Sequence, residues 1–148
     1  MFSKTCEYGI RSVIYIATQS IDDKRVKIAE ITKNSNTPMA FTAKILGILT
    51  KNNIILSKTG PNGGFYIDID QMKKTMLGRI VDVIDGDNVY NGCAVGLPEC
   101  NHDSPCPMHE SFHSVREELK RILNTTTIYD LAVSVKSGKS ILSLTKIN

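Results

Sequence analysis

The chain lacks any apolar run long enough to cross a membrane. The segment VIYIA at 13–17 is typical of its longest apolar runs, whereas a membrane-spanning helix needs about 20 consecutive apolar residues. The opening residues, MFSKTCEYGIRS, also lack the apolar core of a secretory signal peptide, and charge comes early at Lys4 and Glu7. We therefore expect a protein of the cytoplasm, a reducing compartment, with no membrane partner.

The sequence has no internal repeat and no glycine-rich dinucleotide motif of the form G-x-G-x-x-G. Its GPNGGF segment belongs to a predicted hairpin and not to a strand-to-helix turn. This argues against a redox enzyme or electron carrier and favours a protein that is not an enzyme. With 41% apolar and 22% charged residues, the 148-residue chain is typical of one folded domain, or one domain with an extension.

Positive charge is concentrated in the front of the chain, although the net charge is only +3. Residues 1–60 hold nine Lys or Arg against four Asp or Glu, and residues 61–148 hold nine against eleven. This asymmetry favours a nucleic-acid-facing front part and a second, regulatory or assembly part. A solvated surface with chance asymmetry is the alternative.

The front part predicts a helix-turn-helix. Residues 5–20 repeat apolar side chains at helical spacing, with Thr5 at the start and Cys6 on the buried face. A short helix from Ile28 follows, then a break at 34–38, and a second helix opened by Thr37 and Pro38. The second helix is predicted to bury Phe41, Ile45, Ile48 and Leu49, and to carry outward Ala40, Thr42, Ala43 and Lys44. Any helical hairpin is the alternative.

Residues 54–69 predict a β-hairpin wing directly after the second helix. IILSK is a short strand, TGPNGG is a glycine-rich turn, and FYIDI is the return strand. Glycines at the tip allow close approach to a phosphate backbone. The predicted fold is mainly α, with a small hairpin wing on a helix-turn-helix.

The back part predicts a further helix at 76–86, capped by Thr75 and ended by Gly86, and then a long helix at 108–124 opened by Pro107. A short last helix begins at the capping residue Thr127. An apolar stripe along the long helix predicts a dimer interface; its members are Met108, Phe112, Val115, Leu119, Ile122 and Leu123.

Between these helices lies a segment that we name the cysteine loop (residues 91–110). Cys93, Cys100, Cys106 and His109 have the spacing C-x6-C-x5-C-x2-H, among glycines and prolines that favour a loop. Soft thiolates with one imidazole suit an iron–sulfur cluster or zinc. Disulfides and unrelated thiols are the alternatives. His102 and His113 have no spacing argument, and we expect a loop hydrogen-bonder and a helix-surface residue.

Together these segments resemble the bacterial winged-helix repressors that include the iron–sulfur regulator IscR, the nitric-oxide sensor NsrR and the cysteine-metabolism repressor CymR. The resemblance rests on CEYGIRSVIYIA, IAEITKNSNTPMAFTAKIL, SKTGPNGGF and the three loop cysteines before a long helix. It implies a homodimeric regulator that binds palindromic DNA through a domain at 1–86. Residues 87–148 would hold the cysteine loop and the dimerisation helix. The DNA-binding residues are predicted to be Thr37, Met39, Ala40, Phe41, Thr42, Ala43, Lys44, Lys58, Thr59, Asn62 and Gly63.

The resemblance also implies that Cys93, Cys100 and Cys106 are cluster ligands. His109 stands where IscR-like members place a fourth ligand to a 2Fe–2S cluster. Glu7 stands where NsrR-like members place an acidic ligand to a 4Fe–4S cluster, from the partner subunit. A CymR-like protein without a cluster, controlled by a partner protein or thiols, and a zinc protein are the alternatives. Ala43 and Thr59 replace a glutamate and an arginine of relatives, so the operator is expected to differ.

Overall fold

Helix α1 (Lys4–Ile21) is the central element of the computed structural model, which describes residues 1–143. Nine residues of α1 are buried, and the helix packs against helices from both parts of the chain. The predicted start at Thr5 is wrong, because the Ser3 hydroxyl caps the helix and accepts a hydrogen bond from the Cys6 N–H at 3.0 Å. The predicted second part extends to residue 148, and residues 144–148 lie outside the described residues.

The helix-turn-helix consists of α2 (Ile28–Ser35) and α3 (Met39–Lys51). Asn36 ends α2 in the left-handed conformation, with φ of 53°, and Pro38 is the N-cap of α3. Ile31, Ile45 and Leu49 fill the core between these helices and α1. The predicted burial of Phe41 is wrong: its side chain is 52% exposed, and Ile48 is half-buried. Leu46, next to Ile45, is buried instead.

The wing consists of β1 (Leu56–Lys58) and β2 (Gly64–Tyr66), which pair antiparallel with Leu56 opposite Tyr66. Both strands are shorter than predicted, because Ile54, Ile55 and Ile67 enter the core instead of extending the hairpin. The segment before α2 adds a third short partner. There the Phe65 N–H donates to the Val26 carbonyl at 2.8 Å, and the Val26 N–H donates to the Phe65 carbonyl at 3.1 Å.

Gly64 is required where β2 meets Val26. Its φ is +144°, and a Cβ there would lie 2.8 Å from the Val26 carbonyl oxygen, a backbone atom that cannot turn aside. We expect Gly64→Ala to lower the free energy of unfolding by roughly 1–3 kcal/mol. The matched change is Gly47→Ala in α3, where a Cβ meets nothing within 4 Å. That change should raise the free energy of unfolding by about 0.5–1 kcal/mol, since alanine is the better helix former.

Urea unfolding of the two variants and the unchanged protein tests this pair. Equal midpoints for Gly64→Ala and the unchanged protein would contradict the described contact between the wing and Val26.

The back part contains α4 (Ile69–Lys74), α5 (Leu77–Ile84), the short α6 (Asn88–Asn91), α7 (His109–Thr125) and α8 (Ile128–Lys136). Helix α4 was not predicted, and Thr75 ends α4 instead of capping α5. The predicted cap of the last helix is confirmed: the Thr127 hydroxyl accepts from the Asp130 N–H at 3.1 Å.

Helix α8 returns to the front part of the chain. Ile128 and Ala132 belong to the same core as α1, and Lys136 pairs with Asp22 at the end of α1 at 2.7 Å. Helix α7 packs against α5. The cysteine loop therefore leads into a helix whose C-terminal end is anchored in the folded core. Within residues 1–143, no helix is both long enough and apolar enough to cross a membrane.

Candidate metal loop and nucleic-acid interface

Exposed side chains of the front part lie on α3 and on the wing. On α3 these are Met39, Ala40, Phe41, Ala43 and Lys44, and on the wing they are Lys58, Thr59 and Asn62. The wing lies beside the N-terminal end of α2 through the Val26–Phe65 pairing. A helix-turn-helix followed by a hairpin, with exposed cations on α3 and on the wing, is the arrangement with which winged helices contact a groove and its phosphates.

Three of the predicted DNA-facing residues lie elsewhere. Thr42 was predicted to point outward, but it is fully buried, and its hydroxyl donates to the Pro38 carbonyl at 2.7 Å and lies 2.8 Å from the Thr37 hydroxyl. Thr37 is only 7% exposed, and Gly63 is buried against β1. The outward placement of Thr42 is therefore wrong. Its hydroxyl forms hydrogen bonds within the turn between the helices instead of facing solvent.

Two further cations hold the wing tip and were missed from the sequence. The Arg25 guanidinium donates to the Asn62 carbonyl at 3.3 Å and stacks over the Tyr66 ring at 5.1 Å. The Lys27 ammonium donates to the Gly60 carbonyl at 3.4 Å. Both belong to the basic run at 24–27 that precedes α2. The basic run itself is visible in the sequence. The β-bridge that places this run beneath the wing has no recognisable sequence pattern.

In the cysteine loop, the Cys106 side chain lies close enough to Cys93 to affect the pKa of the Cys93 thiol. Within residues 1–143 all four cysteines are free thiols, and the three in this loop are half-buried. Backbone N–H groups of Leu97 and Val95, and then the Cys106 side chain, form hydrogen bonds to the Cys93 sulfur that lower the pKa of its thiol. A lowered pKa favours the thiolate, which is the form that binds metal.

The second pair in the loop is Cys100 and His109. The Cys100 sulfur lies 3.5 Å from His109 Nδ1, and it accepts a hydrogen bond from Arg116 Nη2 at 3.0 Å. Arg116 is 9% exposed, and its Nη1 donates to the Gly92 carbonyl at 2.6 Å. One guanidinium on α7 therefore holds the loop at its first residues and at its middle cysteine.

His109 is 2% exposed at the first position of α7. Burial, and then the nearby positive charges of His102 and Arg116, lower the pKa of its imidazole. A lowered pKa favours the neutral ring, which is the form that ligates metals. Its Nε2 lies 2.9 Å from Nδ1 of His102.

The four predicted ligands meet as two pairs. Among the described residues, the one group of three or more metal-ligating side chains gathered around a common point is His102, His109 and His113, whose ligand atoms all lie within 4.8 Å of one another. The prediction of His102 as a loop hydrogen-bonder is confirmed, whereas His113 is half-buried beside His109. The signal missed in the sequence was the i, i+4 spacing of His109 and His113 on a helix.

Cys6 and Glu7 are neighbours on α1 with different surroundings. Cys6 is fully buried with Val81 and Leu123, and burial, followed by the charge of Asp85, raises the pKa of its thiol to about 12. The prediction of Cys6 as a core residue is confirmed. Glu7 pairs with the Lys4 ammonium at 3.0 Å, with 41% of its side chain exposed.

Helix α7 presents an exposed apolar stripe. Phe112 is 39%, Val115 56% and Ile122 40% exposed, and Met108 precedes them at the N-cap with 38%. The predicted stripe also included Leu119 and Leu123. Leu123 is buried in the chain's own core and Leu119 packs against that core, so these two residues face α5 and α1.

Comparisons with known proteins agree with this architecture. A family profile described as Rrf2, iron-dependent transcriptional regulator, matches residues 2–134. A protein of Aquifex aeolicus that carries the name of an HTH-type transcriptional regulator is 29% identical over 133 residues, covering 88% of this chain and 90% of the relative. The regulator IscR of Yersinia pseudotuberculosis is 23% identical over 124 residues, covering 84% of this chain and 74% of IscR.

Two solved structures share the fold. The global cysteine regulator CymR of B. subtilis superposes with a TM-score of 0.72 at 19% identity, covering 90% of this chain and 96% of CymR. IscR of T. potens superposes with a TM-score of 0.70 at 14% identity, covering 95% of this chain and 91% of IscR. These likenesses support the winged-helix fold that the hairpin, α2 and α3 form.

Proposed function

The chain belongs to the Rrf2 family of transcriptional regulators, and we propose that it is a homodimeric repressor that binds palindromic DNA under the control of an iron–sulfur cluster. It would act in the cytoplasm, on duplex DNA, and not as an enzyme. The observation that carries the proposal is the contact of Arg116 with Cys100 and Gly92. Through it, the loop with the candidate ligands is joined to the helix with the exposed apolar stripe.

The residues of the cysteine loop fit such a cluster by their donor chemistry. Cys93, Cys100 and Cys106 are free and partly accessible, and backbone N–H groups already surround one of the sulfurs. Hydrogen bonds to cysteine sulfurs are a feature of iron–sulfur sites and tune their potentials. His109, or Glu7 of the partner subunit, would complete the set. A bound cluster would supply a centre that reacts with nitric oxide or oxidants and is lost when iron is short.

The residues of the chain would transmit the state of the loop as follows. Ordering the loop fixes Cys100, and Arg116 carries that constraint to α7. The stripe on α7 would meet its copy across a two-fold axis and set the separation of the two winged heads. Because operator half-sites are about one helical turn apart or a multiple of it, a change in that separation changes DNA affinity.

We expect the exposed cations Lys44 and Lys58 to contact phosphates. Lys44→Ala and Lys58→Ala should each weaken binding to a palindromic duplex selected from random sequence by this protein. Each should also make the log–log dependence of affinity on salt shallower by about 1, because one counterion fewer is released. Fluorescence anisotropy of the labelled duplex at several salt concentrations measures both quantities.

Lys139→Ala is the control, because Lys139 lies beyond α8 and is exposed. Salt slopes that stay the same for Lys44→Ala and Lys58→Ala would contradict the proposed face. A change of equal size in the salt slope of the Lys139→Ala variant would also contradict the proposed face.

A second candidate is a regulator of the same family without a cluster, either zinc-bound or controlled by thiols or a partner protein. The observation in its favour is that the predicted ligands lie in two pairs and that the histidines form a separate group. Protein purified without oxygen separates the candidates. A brown solution with equal iron and sulfide supports the cluster, whereas a colourless protein that contains zinc supports the second candidate.

A further inference from the structure

All three histidines of the chain meet at the start of α7. The chain has three histidines, and their rings lie at centroid distances of 4.4 Å for His102 and His109, 5.2 Å for His102 and His113, and 6.0 Å for His109 and His113. One nitrogen from each ring lies within 4.8 Å of the other two. The convergence of every imidazole on one point is a feature that the cysteine-based proposal does not use.

The helical backbone of α7 explains why two of the three histidines lie close together. His109 and His113 are four residues apart on α7, so their side chains lie on one face, one turn apart. The segment HESFH has the H-E-x-x-H spacing with which helices supply two imidazoles to zinc. His102 comes from the middle of the cysteine loop and reaches His109 from outside.

The distances suit a small cation after modest movement. Nitrogens bound to zinc at 2.0–2.1 Å in a tetrahedron lie about 3.3 Å apart. His109 Nε2 and His102 Nδ1, at 2.9 Å, are already closer than that. The third nitrogen must approach by about 1.5 Å at most, given the 4.8 Å limit and that zinc geometry. His102 is exposed and His113 half-buried, so both rings have room to adjust around the buried His109.

The opposite edge of His109 is held by a different group. Its Nδ1 lies 3.5 Å from the Cys100 sulfur, and Arg116 donates a hydrogen bond to that sulfur. A hydrogen bond at one ring nitrogen orients the other nitrogen toward a metal, as in many zinc sites. His109 therefore has one edge toward the cysteines and one toward the histidines.

We propose that His102, His109 and His113 form a binding site for a divalent transition cation of the zinc class, separate from the thiolates. Three imidazoles and an open fourth position for water are a common zinc donor set. The proposal concerns binding alone. It does not depend on an iron–sulfur cluster, although a cation on Nε2 of His109 would compete with any role of that ring toward the cysteines.

The test uses the full chain without a cluster and zinc ions as the probe. In the unchanged protein, the ring signals of all three histidines should shift together in NMR spectra as one equivalent of zinc is added. By calorimetry, His102→Ala and His113→Ala should each weaken zinc binding at this site at least about tenfold, since each removes one of three ligands. Ser114→Ala, an exposed neighbour on α7, should leave zinc affinity unchanged.

The cysteine variants separate this proposal from the proposed function. Cys93→Ser should lose the cluster but keep zinc binding at the histidines, whereas His113→Ala should keep the cluster and lose that zinc binding. Zinc affinity that is abolished in Cys93→Ser and unchanged in His113→Ala would overturn the histidine site. Ring signals of His102 and His113 that do not respond to zinc in the unchanged protein would overturn it as well, even if a variant fails to fold.

Discussion

Replacing Val115 with Glu is expected to convert the proposed dimer to a monomer and to weaken binding to a palindromic duplex by about 100-fold or more, the scale of the avidity that a second linked site contributes. Val115 is the most exposed apolar side chain on α7, at 56%. A carboxylate at the centre of the stripe would be desolvated beside its own copy across the two-fold axis. Sedimentation velocity gives the mass, and fluorescence anisotropy gives the affinity.

The control is Ser114→Glu, one position away on the same helix. Ser114 is exposed, and by helical phase it lies away both from the stripe and from the buried residues His109 and Arg116. It adds the same charge and should leave both mass and affinity unchanged. A Val115→Glu protein that remains a dimer and binds the palindrome normally would contradict the assignment of the stripe. Leu119→Glu is a poorer test, because Leu119 packs against its own core.

The second large effect is expected for the thiolates. Serine at Cys93, Cys100 or Cys106 should each abolish cluster assembly, because a hydroxyl is a far poorer ligand for iron than a thiolate. Iron and sulfide content, with the visible spectrum of protein purified without oxygen, measure the loss. Cys6→Ala is the control, since Cys6 is a buried, protonated thiol, and its protein should keep the full spectrum. A normal cluster in all three serine variants would contradict the ligand assignment.

The fourth ligand distinguishes two arrangements. If His109 ligates, His109→Ala should shift or bleach the spectrum, and each subunit could hold its own cluster. If Glu7 ligates across the dimer, Glu7→Ala should shift or bleach the spectrum instead. Loss of the cluster would then act directly on α1 of the partner subunit. The contact between His109 and Cys100 favours His109. An unchanged spectrum in His109→Ala with loss in Glu7→Ala would reverse that choice.

The elements of this fold that depend on local pattern were predictable from the sequence. The apolar spacing at 5–20 and the glycine-rich hairpin after a second helix predicted α1 and the wing, and the cap at Thr127 predicted the start of α8. These features depend on residues close in the chain. The same holds for Cys6, whose position on the apolar face of α1 predicted its burial.

The features that were wrongly predicted from the sequence depend on the path of the backbone at turns or on contacts between segments that are distant in the chain. Thr42 has a polar side chain of the kind usually found at the surface. The tight connection between α2 and α3 nevertheless directs its hydroxyl toward Thr37 and Pro38. Phe41 lies at the surface beside the Tyr8 ring, 6.1 Å between centroids. The predicted metal-binding residues likewise included His109, but they did not include the neighbouring His102 and His113. The path of the loop, which brings His102 back to α7, is set by Arg116 and Gly92 and has no signature in spacing.

The most direct test of the central claim compares the DNA affinity of one preparation before and after the cluster is removed. Protein purified without oxygen, carrying equal iron and sulfide, is measured by anisotropy on its selected palindrome. It is measured again after a chelator and an oxidant have removed the iron. We predict that affinity changes at least about tenfold in the unchanged protein, the usual scale of coupling between two sites. Arg116→Gln, which removes the guanidinium between Cys100 and α7, should reduce that ratio while the dimer persists. Equal affinities for the loaded and the iron-free protein, with the dimer intact in both, would contradict the account.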